Sequence, residues 1–192
     1  MGTRSGQPFP ADAGRPQRNL GIPFWAPDSR RFGFFDGTRL KKVDINGGPA
    51  TTIADTGSEN PGSGSWNQND LIIFSTEGPR RPLFRVPAAG GGPVPVTELD
   101  KARGETEHWA PWFLLDGRHF LYLARSAKPE TSGVYVGDLA SKTRKQVVAF
   151  ATRAIYVNPG YLLFVRDRTL MAQRFDTASL QKIGRATCRE RV

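Results

Sequence analysis

Trp25-Ala-Pro-Asp28-Ser-Arg-Arg-Phe32 returns as Trp66-Asn-Gln-Asn69-Asp70, and again as Phe113-Leu-Leu-Asp116-Gly117-Arg-His-Phe120. A weaker fourth copy runs from about Ile155 through Asn158-Pro159-Gly160-Tyr161. The copies recur roughly every 41 to 47 residues, which is the period of a β-propeller blade. Each is followed by one apolar strand-like run and then by another.

The units parse into short strands. Unit one gives Ile22–Trp25, Arg31–Phe35, Arg39–Ile45 and Ala50–Ala54. Unit two gives Ser65–Trp66, Leu71–Phe74, Leu83–Val86 and Val94–Thr97. Unit three gives Trp109–Leu114, His119–Ala124, Gly133–Leu139 and Gln146–Phe150, while unit four offers Ala154–Val157, Tyr161–Val165 and Leu170–Phe175. Ala-Pro-Asp28-Ser and Asn46-Gly-Gly-Pro49 are turns with a mechanism: Pro presets φ, Asp caps through its carboxylate, and Gly accepts positive φ.

The second strand of every unit is apolar on both sides, as in Phe32-Gly-Phe-Phe35, Leu71-Ile-Ile-Phe74 and Phe120-Leu-Tyr-Leu123. A sheet with one wet face would alternate instead. Radially stacked blades supply cover on both faces. A doubly wound α/β fold would need a crossover helix between its parallel strands, and no helical periodicity is present. The fold class predicted is all-β: a propeller fragment of about four blades, each a four-stranded antiparallel sheet, with the last blade incomplete. The blades fall at about 21–56, 62–100, 107–150 and 153–182.

Outside them, residues 1–20 are polar and rich in Gly, Pro and Arg, and read as linker or loop. Residues 183–192, Ile183-Gly-Arg-Ala-Thr-Cys188-Arg-Glu-Arg-Val192, match no strand or helix and read as a non-native tail resembling a translated sequencing adapter. Cys188 is the only cysteine, so no internal disulfide and no cysteine-based metal site can form.

The formal charge of +9 is scattered over Arg30-Arg31, Lys41-Lys42, Arg80-Arg81 and Lys142 with Arg144-Lys145. No basic stripe with stacking aromatics and no nucleic-acid module signature accompanies it, so no nucleic-acid partner is expected. No apolar run approaches the ~18 residues a membrane-spanning helix needs.

Trp25, Trp66 and Phe113 recur at one blade position and are predicted to pack between blades. Asp28, Asn69, Asp116 and Gly117 belong to the repeated turns. One carboxylate per turn is a poor cation site, so no metal and no cofactor is expected. The segment Arg103-Gly-Glu105-Thr-Glu-His108-Trp109 joins the outer strand of unit two to the inner strand of unit three. Arg103, Glu105 and His108 are therefore the candidate binding residues, at a polar channel mouth. His119 is expected to pack at a strand start. The sequence has no Gly-x-Ser-x-Gly elbow, no His-Glu-x-x-His and no Walker motif, and no catalytic residue is assigned.

Phe24-Trp25-Ala-Pro-Asp28-Ser-Arg followed by Leu40-Lys-Lys-Val-Asp44-Ile-Asn-Gly-Gly-Pro49 resembles the TolB-type propeller repeat, an aromatic followed by Ser-Pro-Asp-Gly-Arg. The likeness covers about Gly21 to Gln181. Arg103-Gly-Glu-Thr-Glu-His108, Asp116-Gly-Arg-His-Phe-Leu-Tyr122 and Gly160-Tyr-Leu-Leu-Phe-Val-Arg-Asp167 resemble propellers at the C-terminal end of bacterial serine/threonine protein kinases. That resemblance implies a non-catalytic sensory or scaffolding module binding a protein or small molecule, with the kinase domain upstream. No kinase motif lies in this segment. The rival readings are the gating propeller of a serine peptidase and a TolB-like periplasmic adaptor. The compartment is open, and is periplasmic or extracytoplasmic if the segment belongs to a membrane-anchored sensor.

Overall fold

The computed structural model describes residues 21–58, 61–78 and 80–191. The linker expected over residues 1–20 lies outside them, as does Val192. The described residues form four antiparallel sheets of four strands, each a meander in chain order. The first holds β1 (Phe24–Trp25), β2 (Arg31–Asp36), β3 (Arg39–Asp44) and β4 (Thr51–Asp55). The second holds β5 (Pro61–Trp66), β6 (Leu71–Thr76), β7 (Phe84–Pro87) and β8 (Val94–Pro95). The third holds β9 (Glu105–Phe113), β10 (His119–Ser126), β11 (Gly133–Asp138) and β12 (Ser141–Val148), and the fourth β13 (Ala154–Val157), β14 (Tyr161–Arg166), β15 (Thr169–Asp176) and β16 (Gln181–Arg191). One turn of 3₁₀-helix, Pro129–Thr131, is the only helical element among the described residues. The inner strands lie side by side, β1 against β5, β5 against β9 and β9 against β13, so the sheets radiate from a common axis. This is the arrangement of propeller blades.

The first turn of each blade is built one way with different residues. The N–H of Ser29, Asp70, Gly117 and Gly160 donates to the carbonyl of Ala26, Asn67, Leu114 and Val157 at 3.0, 3.2, 3.0 and 3.1 Å. All four donors hold positive φ, +56°, +54°, +66° and +107°. Only Gly takes this region without strain, and Asp tolerates it through local hydrogen bonding. Counting back four residues gives Trp25, Trp66, Phe113 and Tyr156. The fourth copy is therefore anchored on Tyr156, which the sequence pattern hid.

Between blades one and two the core is Phe24, Phe35, Leu40, Trp66, Ile72 and Phe74 with smaller neighbours. Phe24 lies over two glycines: a Cβ on Gly33 of its own blade or on Gly64 of the next would stand 2.4 or 2.3 Å from its ring. The ring fills the space that two missing side chains leave, and locks the sheets face to face. Phe113, Phe120, Tyr122 and Tyr135 with Ile73 and Leu83 close the second interface, and Leu121, Val134, Val136, Tyr156, Leu162 and Phe164 close the third. Burying each large side chain stabilises the fold by about 1.5–3 kcal/mol.

Two expectations are corrected. Trp25 does not pack between blades: it is 56% exposed, whereas Trp66 is 5% exposed. Both face the preceding blade, but the described residues place no sheet before blade one, and Trp25 rests edge-on against Phe32. The fourth blade is not short of a strand. β16 pairs with β15 from Asp176↔Gln181 to Thr169↔Arg191, so the stretch read as a tail supplies the outer strand. An outer strand needs backbone pairing on one side and little burial, which its polar composition allows. The face of blade four turned away from the stack is likewise apolar, with Tyr161, Leu163 and Leu170 along it and Val165 45% exposed.

The same residue type at the same blade position should thus differ sharply in worth. Trp66→Ala is expected to cost about 3–5 kcal/mol in denaturant unfolding. Trp25→Ala is expected to cost about 1 kcal/mol or less, the value of one exposed aromatic pair. Equal losses would contradict the assigned faces.

Candidate ligand-binding site

Arg103, Glu105 and His108 are brought together, but not as an open mouth. The side chains of Glu105 and His108 are both fully buried, while Arg103 is exposed. In a regular strand, residues three apart point to opposite faces. The pairing of β9 with β10 shifts register between Arg125 and Ser126, and the resulting bulge near Thr106 turns Glu105 onto the face of His108.

Both carboxylate oxygens of Glu105 are engaged. Oε2 takes the backbone N–H of Asp100 at 2.7 Å and His108 Nε2–H at 3.0 Å, and Arg144 Nη1 lies 2.8 and 3.0 Å from the two oxygens. Arg144 also donates to Asp100 and stacks 4.7 Å over the Tyr135 ring, whose hydroxyl accepts from Arg103. On the other side, the Thr97 hydroxyl accepts the Leu83 N–H at 2.9 Å and meets His108 Nδ1 at 2.8 Å. Burial alone would raise the Glu105 pKa, but His108, the Asp100 N–H and Arg144 together hold it below the ordinary glutamate value. Burial pushes the neighbouring Tyr122 up to about 12. The cluster ties the strap 96–104 between blades two and three. Glu105 forms part of the floor of a broad surface depression of ≈ 890 Å³ bordered by Arg80 and Lys101, with its carboxylate already engaged.

The turn residues are occupied in the same way. Asp28 accepts the Arg30 N–H at 2.9 Å and pairs with Arg31, and these bonds hold its pKa low. Asp116 accepts the N–H of Arg118 and of His119 and bonds the His119 ring at the start of β10. Gly117 offers its carbonyl to Asn67 Nδ2 of the preceding blade at 2.6 Å. Asn67, buried and unmarked in the sequence, also accepts the N–H of Asn69 and Leu71, so one side chain caps its own turn and grips the next blade.

A second site was not legible at all. A cleft of ≈ 360 Å³ lies on the axis, and all four inner strands and their first turns contribute to its wall. Trp25, Trp66, Phe113 and Tyr156, the four repeat positions, all reach it, together with Trp112. Arg153 carries the one charge among the lining residues. It is in the connection between β12 and β13, just before the fourth inner strand. Its side chain reaches solvent, yet nearby walls strip enough water to lower its pKa below the ordinary arginine value, burial being the single cause. In the sequence, the only signal is an arginine in Ala149–Gly160 with no acidic residue nearby.

Comparison with solved structures agrees with this fold. A TolB protein of Agrobacterium tumefaciens superposes with a TM-score of 0.63 at 15% identity, over 83% of this chain and 58% of that one. Regucalcin from the same organism, described as calcium-binding, gives 0.64 at 15% identity over 91% and 60%. A prolyl endopeptidase gives 0.55 at 14% identity over 86% and 27%. The chain has a β-propeller fold. It spans less than two thirds of the length of each of these neighbours. In sequence it matches no family model and no curated protein.

The propeller's interior cluster gives a pH signature. Because Glu105 has a folded pKa below its ordinary value of 4.5, its contribution is complete above that value and is lost as pH falls through the folded value. Glu105→Gln is expected to destabilise by about 1–3 kcal/mol at pH 7, leaving Arg144 and His108 short of an anionic acceptor. It should also flatten the loss of stability below pH 4.5, read from urea melts at several pH values.

Proposed function

We propose that this chain is a non-catalytic binding module whose ligand face is the axial cleft, carried in the parent by the sensory end of a bacterial serine/threonine protein kinase. The carrying observation is the convergence of four inner strands on one aromatic-walled cleft of ≈ 360 Å³ with a single charged residue. Ligand sites of this size, mostly apolar with few polar groups, are the usual form of small-molecule and peptide pockets. The saturated clusters at Glu105, Asp28 and Asp116 act as braces in this reading, since their hydrogen-bonding groups are spent on the protein itself.

The kinase link rests on the sequence resemblance of the segments around Arg103–His108 and Gly160–Asp167. Calcium binding, named for the regucalcin neighbour, is not carried over, because no acidic side chain lines this cleft. The likeness to a prolyl endopeptidase keeps the gating-domain reading as the second one.

Reading the parent gene in frame decides between them: a kinase domain upstream is expected, and a hydrolase nucleophile elbow downstream would select the other. In the full-length parent, the double variant Trp25→Ala/Arg153→Ala is expected to change ligand-dependent autophosphorylation. Its melting temperature should move by less than about 4 °C. Unchanged signalling would remove the cleft from the mechanism.

A further inference from the structure

We propose that the axial cleft is a carboxylate site, in which Arg153 grips the acid group of a ligand whose apolar body lies against Trp25, Trp112 and Tyr156. This deepens the binding-module reading and rests on it.

Several arginines of this protein are paired with carboxylates. Arg31 is paired with Asp28, Arg118 with Asp138, Arg125 with Glu107, and Arg144 with Glu105 and Asp100. Arg153 has no carboxylate within ion-pair distance among the described residues, and its guanidinium has no hydrogen-bond acceptor there. Yet it is the arginine placed against the aromatic wall of a cleft. It is exposed at the cleft, and its guanidinium has no ion-pair partner among the described residues, so it is free to meet an incoming anion.

The chemistry of the anion follows from the wall. A guanidinium offers a planar fork that matches a carboxylate through two parallel hydrogen bonds. One cation suits a single negative charge. The cleft brings no second base and no helix N-terminus of the kind that gathers around phosphate groups. A cationic ligand, which the tryptophans alone would suit, is repelled by Arg153. What remains is an apolar or aromatic body ending in one carboxylate, either a small organic acid or the C-terminus of a peptide.

The test uses the 192-residue chain and two matched probes, N-acetyl-phenylalanine and its neutral amide, titrated by calorimetry and by tryptophan emission. The acid is expected to bind about tenfold more tightly than the amide. Arg153→Gln should erase that preference, and Arg153→Lys should keep part of it, because charge survives while the fork is lost. Arg153 is solvent-reaching and unpaired, so both variants should melt like the parent chain.

A tetrapeptide ending in phenylalanine separates the two sources of the acid. Tighter binding than the single residue assigns the carboxylate to a chain end, and equal binding to a small acid. If acid and amide bind equally, the cleft remains a binding site and the carboxylate assignment falls. If neither binds to a chain that melts cooperatively, the cleft reading falls with it.

Discussion

No sheet of this protein can stand alone, because the second strand of each is apolar on both faces. Phe35 packs toward the next blade while Phe32 and Phe34 point the other way, and Ile72 and Ile73 bury completely on opposite faces of one strand. Water can be excluded from both faces only if a sheet is sandwiched between two others. The radial stack, the inner strands meeting on an axis and the cleft between them all follow from that requirement. So does the exposure of Trp25 and Val165 at the two ends of the stack.

Stacking also needs blades to hold a fixed rotation about the axis, and apolar contact is non-directional. Direction comes from hydrogen bonds that cross between sheets. Ser65 Oγ accepts the Phe113 N–H at 2.9 Å, Asn67 reaches the Gly117 carbonyl, and Gln68 reaches that of Leu115 at 3.1 Å. The Glu105–His108–Arg144 cluster acts at the same interface between blades two and three, holding the strap against β9 and β12. Buried polar groups of this kind stabilise only when every member is satisfied, which is the state observed. With those groups engaged inward, Arg153 is the one charged side chain lining the axial cleft.

The sequence by itself determined the strands and turns. Asp28, Asp116 and Gly117 act within a few residues of themselves, through φ preferences and self-capping, so their roles were legible locally. The count of four units was legible for the same reason, as was the all-β class. Even so, the fourth turn was recognised through its Pro159-Gly160, and Tyr156 escaped notice because a tyrosine stands where the other units carry Trp or Phe.

Tertiary structure decided which faces are wet. Trp25 and Trp66 occupy the same position of the repeat, and the presence of a neighbouring blade separates a surface tryptophan from a core one. Glu105 and His108 share a face because a bulge resets the alternation, and no pattern of residue types records a bulge. The partners of Glu105 come from Asp100 and from Arg144, 39 residues away. Arg153 gains its meaning from a cleft whose walls come from all four inner strands, the first of them, β1, more than a hundred residues earlier in the chain. Burial and long-range pairing are properties of the assembled stack, whereas turn chemistry belongs to the chain, and that is where the line between the two falls.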